Sequence, residues 1–192
     1  MSNLEFPKII VNEDIILREF SYSDADEYFK IYTNPLVSKF LPDSMIPNTI
    51  NDTVLEIEST IQSFQSQYGV YWAIAEVRTN KLIGGCGFHN WNKFDSKIEI
   101  AYDLNPEYWG QGVMFYSLQR IIEFAFLKMK VVRIQGIVLE ENTSSIKLLT
   151  KLGFQKEGIL RKYKFFKQKN TNIAMFSILK EEFEIKDKCI YF

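Results

Sequence analysis

A chain of 192 residues, 46% hydrophobic and 15% aromatic, can bury a substantial core, and a single domain over 1–192 is the expectation. Its net charge of −1 argues against a broad nucleic-acid surface. An apolar run of about 18 residues and a secretory-type leader are both missing from the sequence, so a soluble cytoplasmic protein with no DNA or membrane partner is expected. Two distant cysteines, Cys86 and Cys189, and a single histidine, His89, support neither a disulfide framework nor a metal site. The near-neutral total hides an asymmetry: residues 1–110 carry 8 basic against 16 acidic side chains, and residues 111–192 carry 15 against 8. Two solvated surfaces explain this, and so does a functional polarity with an anionic ligand on the C-terminal side and a cationic one on the N-terminal side.

In chain order, "DIILREF" from Asp14 predicts the first strand. Ser23, with Asp26 three residues on, reads as the N-cap of a short helix carrying Tyr28, Phe29, Ile31 and Tyr32. Three prolines in "NPLVSKFLPDSMIPN" predict irregular chain, and Ile50, Val54, Ile57, Ile61 and Phe64 then share one face of a longer helix ending near Gly69. "VYWAIAEVRTNKLIGGCGFHNWN" predicts a hairpin turning at Thr79–Lys81, and "KIEIAYDL" adds a further strand. Helical periodicity is strongest from Val113 to Met129. "VVRIQGIVLE" is a strand, "ENTSSIKLLTKLGF" a helix closed by Gly153, and the chain ends in two strands. The order predicts one α+β domain, with its core at about 14–183 and a short tail at 184–192.

"LNPEYWGQGV" ends a strand in a glycine loop and begins the best helix. Such a junction aims unpaired N–H groups and the positive helix end at one point, which suits a phosphate. Gly110 and Gly112 allow close approach of main chain to ligand. The loop is neither a P-loop nor G-x-G-x-x-G, since Phe115 stands where the last glycine would be. A turn needed only for strand–helix packing is the competing reading.

Together, "NPEYWGQG" and the later "ENTSSIKLLTKLGF" resemble the GCN5-related N-acetyltransferase (GNAT) superfamily, and within it the RimJ/RimL branch that acetylates ribosomal-protein N-termini. The match to the loop motif places Trp109 first, Gly112 at the central glycine and Met114 last; Asn142, Ser145, Lys151, Leu152, Gly153 and Phe154 match the second motif. The resemblance implies a mixed, mostly antiparallel sheet of about seven strands, splayed between the fourth and fifth, with about four flanking helices. It implies acetyl-CoA as cosubstrate, its pyrophosphate held by the main chain of Trp109, Gly110, Gln111, Gly112, Val113 and Met114. Its pantetheine would lie along Tyr102, Asp103 and Leu104 and meet Asn142 and Ser145. Met114 stands where relatives carry a small residue; the flexible side chain is expected to turn aside so that binding is retained, at full or reduced strength, with a large cost only if it fills the site.

The implied reaction is direct attack of an amine on the thioester. Glu99 is the first candidate base, on the strand face opposite Ile98, Ile100 and Tyr102, with burial expected to raise its pKa. A solvated strand carboxylate is the alternative. His89 is a second candidate base or substrate contact. The helix tyrosine that many relatives use as acid is replaced by Leu149, which leaves Ser145 to orient or protonate the thiolate, in competition with a capping role. The acceptor is expected to be a protein N-terminal α-amine or a small cationic amine, and a homodimer is compatible with the sequence. Two readings from other classes stand beside this one: a non-catalytic acyl-CoA-binding or protein-interaction domain, and an RNA-binding module built on "RKYKFFKQK". For that run, one aromatic packing face and one solvated face of a hairpin is the simpler expectation.

Overall fold

The computed structural model of the chain describes residues 5–183, so Cys189 and the tail at 184–192 lie outside the described residues. One eight-stranded sheet runs in the order β1-β2-β3-β4-β5-β6-β8-β7. The strands are β1 (Ile9–Ile10), β2 (Ile15–Arg18), β3 (Val70–Glu76), β4 (Leu82–Asn92), β5 (Lys97–Leu104), β6 (Arg133–Leu139), β7 (Gln155–Phe166) and β8 (Lys169–Leu179). All neighbours are antiparallel except β5 and β6. The two-residue β1 accounts for the strand beyond the seven expected.

Helices α1 (Ala25–Thr33), α2 (Pro35–Ser38) and α3 (Ile50–Gln65) precede β3; α4 (Val113–Phe124) lies between β5 and β6, and α5 (Thr143–Leu152) between β6 and β7. The proline-rich stretch is less irregular than expected, because Asn34 caps Leu36 N and Pro35 occupies the first turn of α2, where a missing N–H costs nothing. The cap ahead of α1 falls on Ser21 and Asp24 rather than Ser23 and Asp26, closing a short 3₁₀ turn that leads into the helix. Thr49 and Asp52 form a capping box on α3. Past Phe124 the helix widens into a π-helical turn, Ala125–Met129, and stops at Lys130 with φ 57°.

Two apolar clusters hold the helices against the sheet. On one face Leu118, Ile121 and Ile122 of α4 and Leu149 and Leu152 of α5 pack with Trp72, Ile74, Phe88, Ile98 and Ile134. Burying each such aliphatic side chain contributes about 1.5–3 kcal/mol as an upper estimate. On the other face Tyr28, Ile31 and Tyr32 of α1 and Ile57 of α3 pack with Phe20, Ala73 and Leu82.

The feature that positions a site is where the parallel pairing ends. β5 and β6 are in register only over Lys97–Glu99 with Arg133–Gln135. Beyond Glu99, β5 stays on β4 to Leu104 and β6 stays on β8 to Leu139. The two strands part like a V whose apex lies at Glu99 and Gln135.

Candidate active site

A cavity of about 1090 Å³ runs through this V. At its mouth are Gly110, Gly112 and Val113; along the gap are Tyr102, Gly136, Val138 and Ser145; on the far side are Glu99, Ala101, Asp103 and residues of α1–α3. One continuous space therefore joins the glycine loop, the open edge of β5 and the second face of the sheet.

At the mouth, Gly110 and Gly112 have φ of 76° and 81°, the left-handed region that favours glycine. A β-carbon on Gly112 would also stand 3.0 Å from the Tyr116 ring, whereas none of the surrounding atoms crowds Gly110. Gly112 is the N-cap of α4, with no side-chain cap, so the first-turn N–H groups lack the acceptor that Thr49 gives α3 and Asn142 gives α5. Those donors and the positive helix end suit an oxyanion such as pyrophosphate. Met114, the departure from the motif, is 8% exposed and packs within the α4 core cluster, and it also lines the cavity.

Within the V, the candidate residues separate into two groups on opposite faces of β5. On the helix α5 face the Tyr102 hydroxyl lies 2.6 Å from Ser145 Oγ. Burial pushes the Tyr102 phenol up to about 12, against the opposing effect of the Ser145 bond. Ser145 N in turn donates to Asn142 Oδ1 at 3.1 Å, so Asn142 does cap α5 while lining the cavity. Leu149, at the position where the resemblance expects a tyrosine, is buried in the core, and the tyrosine that meets Ser145 comes from β5 instead. Sequence reasoning named Tyr102 only for its main chain.

On the other face, β4 and β5 place His89 directly opposite Glu99. His89 Nε2 lies 3.3 Å from Glu99 Oε1, and the His89 side chain is 39% exposed. The two candidate bases are therefore one pair. The expected upward shift of Glu99 is overturned: burial pushes the carboxyl up, but the bond and charge of His89, with bonds from Asn90 and Gln135, outweigh it and hold it below its ordinary value.

The raised carboxylate is Asp103, four residues along the same face of β5. Its Oδ2 accepts from Tyr32 Oη and Tyr71 Oη, both at 2.8 Å. Burial lifts its pKa to about 6, against the lowering effect of Tyr71, Tyr32 and the Gly85 main chain. Sequence reasoning missed this side chain, although two signals were present: strand alternation puts Asp103 on the face of Glu99, and the glycines at 84, 85 and 87 mark a strand approached closely. A β-carbon on Gly85 would stand 2.6 Å from Tyr71 Cε1 and 3.1 Å from Asp103 Oδ2.

Of the other expected residues, Trp109 donates its indole N–H to the Leu104 carbonyl at 2.9 Å and Gln111 bonds the Glu107 carbonyl, bracing the loop onto the end of β5. The terminal hairpin departs from simple alternation. A register shift between Leu160 and Lys164, with Lys162 at φ 51°, leaves Tyr163 and Phe165 exposed while Phe166 turns into the cavity wall. Lys167 Nζ to Asp43 Oδ1, 3.0 Å, ties the hairpin tip to the loop before α3. No group of three or more potential metal ligands exists among the described residues, and none of their helices is long and apolar enough to cross a membrane.

Comparison with known proteins agrees with this geometry. The Acetyltransferase (GNAT) domain family matches residues 14–155. The chain is 34% identical over 176 residues to an uncharacterised N-acetyltransferase p20 of Bacillus licheniformis, covering 91% of this chain and 97% of the relative. It is 30% identical over 175 residues to the uncharacterised N-acetyltransferase YoaA of Bacillus subtilis, covering 91% and 98%. Its fold superposes with a TM-score of 0.80, at 18% identity and with 90% and 98% covered, on RimL, a ribosomal L7/L12 α-N-protein acetyltransferase in complex with coenzyme A. The chain belongs to the GNAT acetyltransferase family, whose members use acetyl-CoA.

Proposed function

We propose that the chain acetylates a primary amine, a protein N-terminal α-amine or a small cationic amine, by direct attack of that amine on the thioester of acetyl-CoA. The observation that carries this reading is the single cavity that joins the uncapped, glycine-bounded start of α4 to the V at Glu99 and to the acidic far wall. When bound, acetyl-CoA supplies the activated acyl group. The chain supplies the rest.

Main-chain donors from Gly110 to Met114 hold the pyrophosphate; the Trp109 N–H, expected among them, is already given to the Pro106 carbonyl at 3.1 Å. The open edge of β5 from Tyr102 to Leu104 offers main-chain partners to an extended pantetheine, as to an added strand. An α-amine, with pKa about 7.7–8.0, is partly neutral at neutral pH, so the base need not be strong. Glu99, held ionised, is better suited to orient a partner than to take a proton. With Nε2–H given to Glu99, His89 has Nδ1 free to accept the amine proton and, being part-exposed, to release it to solvent. The C–N bond forms as the C–S bond breaks, and the negative charge leaves on sulfur. In this reading the sulfur departs beside the Ser145–Tyr102 pair, which lines the same cavity. A phenol at about 12 holds its proton more tightly than a thiol near 8.5, so the pair stabilises the thiolate by hydrogen bonding and water supplies its proton.

The test is release of free thiol from acetyl-CoA with a panel of peptides and small amines. Turnover above background is expected, with His89→Gln and Ser145→Ala each lowering kcat by roughly tenfold or more. Binding of CoA without thiol release across the panel would sink the catalytic reading.

A further inference from the structure

A buried carboxylate ordinarily has a cation in its own desolvated volume, since an unpaired charge there is costly. Asp103 does not. Only 9% of it is exposed, and none of the ion pairs among the described residues includes it. Its side-chain partners are two neutral phenols on one oxygen, and a carboxylate offers about four acceptor positions. The groups around it are aromatic: Tyr28 stacks on Tyr32 with ring centres 4.3 Å apart, and Tyr71, which gives its hydroxyl to Asp103, stacks on Phe20 with ring centres 6.1 Å apart. Tyr28, Tyr32, Tyr71 and Asp103 all line the cavity. A carboxylate set among aromatic side chains at the wall of a cavity is the chemistry that receives an ammonium group.

This cage is not where the reacting amine belongs. It lies four residues from Glu99 along one face of β5, about 13 Å at the rise of a strand, while the His89–Glu99 pair sits at the apex of the V. An ammonium held against Asp103 is also kept charged, which is the wrong state for attack.

We propose that Asp103, with Tyr28, Tyr32 and Tyr71, receives a second cationic group of the acceptor, so that the acceptor is a small amine carrying two ammonium groups rather than a peptide N-terminus. The inference rests on the reading of the chain as an amine acetyltransferase and narrows its substrate class. Acetylation at one end leaves the other end charged in the cage, so a monoacetylated product follows.

The test begins with the wild-type protein and pairs that differ only in the second charge: 1,4-diaminobutane against 4-aminobutan-1-ol, and 1,8-diaminooctane against 8-aminooctan-1-ol. At least one diamine is expected to exceed its amino alcohol in kcat/KM by roughly tenfold or more, the size of one cation–aromatic and charge contact. In Asp103→Asn that ratio falls toward one. Calorimetry with the CoA-saturated protein gives a readout without turnover: the diamine binds, the amino alcohol does not, and Asp103→Asn removes the difference. Equal kcat/KM within each pair, a preference that survives Asp103→Asn, or peptides outrunning every diamine overturns the proposal. Diamine binding that depends on Asp103 in a protein that releases no thiol leaves the cage standing and removes the transferase reading instead.

Discussion

Asp24 and Asp103 are both withdrawn from water, 4% and 9% exposed, yet the fold surrounds them differently. Asp24 takes a two-pronged bond from Arg18, Nη1 and Nη2 each at 2.8 Å, and a third from Ser21 N at 2.8 Å. Arg18 is itself satisfied by the Glu19 carbonyl and by the side chain and carbonyl of Asn80. That region, at the foot of β2, does not line the cavity of the V and completes its own charge balance. Asp103 has two phenols and the Gly85 main chain for partners, no cation, and an opening beside it. The difference separates a carboxylate that builds the fold from one left available to a guest, and substitutions can probe it directly.

The largest effect is expected at the closed pair. Asp24→Asn leaves the Arg18 guanidinium buried without its counter-charge, a loss of about 3–5 kcal/mol, read as a fall in the urea midpoint at unchanged slope. Asp103→Asn at pH 7 removes a charge that was unpaired, so the lost bonds and the relieved burial nearly cancel and stability stays within about 1 kcal/mol of wild type. Similar losses for the two variants would erase the distinction.

Next in size is the pH dependence. The folded pKa of Asp103 is about 6, above the ordinary aspartate value of 3.8, so between those values the folded state binds more protons than the unfolded. Its contribution is therefore fully favourable below about pH 4 and is lost as pH rises through about 6, by up to about 3 kcal/mol. The stability of wild type minus that of Asp103→Asn should decline over that window in paired urea titrations. A flat difference would mean the carboxylate is already paired.

This contrast was only partly legible in the sequence. Periodicity, turn residues and the glycine loop located the strands, α4, α5 and the V, because each is written within a few adjacent residues. Alternation assigned Glu99 and Tyr102 to opposite faces of β5 but could not say what those faces meet. Tyr102 and Ser145 are 43 residues apart, and Tyr32 and Asp103 are 71 apart. Such meetings depend on packing of α1 and α5 against the sheet. Glu99 shows the consequence: burial alone argued for a raised pKa, and the cross-strand His89 reverses the sign. The Ser21 cap was missed for a smaller reason, since two serines and two aspartates compete at the same spacing in "SYSDAD".

Of intermediate size is Tyr71→Phe. It deletes one of two phenol donors to the ionised Asp103 and should cost about 2 kcal/mol at pH 8, as for a hydrogen bond to a charged group. At pH 4, where the carboxyl is protonated, the cost should shrink toward about 1 kcal/mol. Thermal unfolding at the two pH values checks this; a loss independent of pH would assign Tyr71 a packing role only.

The smallest effect tests whether the Arg18–Asp24 pair depends on its surroundings. Asn80 holds φ 58°, a left-handed conformation in the β3–β4 turn, and its Oδ1 accepts from Arg18 Nε at 2.7 Å while its carbonyl accepts from Nη2 at 2.9 Å. Asn80→Gly keeps the conformation and the carbonyl and deletes only the side-chain acceptor. The pair retains both its bonds to Asp24, and one Arg18 N–H turns toward the partly open edge, so a loss of about 1 kcal/mol is expected in urea unfolding. A cost as large as that of Asp24→Asn would show that the guanidinium is held by the turn as much as by the carboxylate. The closed pair would then be no more self-sufficient than Asp103, and the division between structural and receptive carboxylates would have to be drawn by access to the cavity alone.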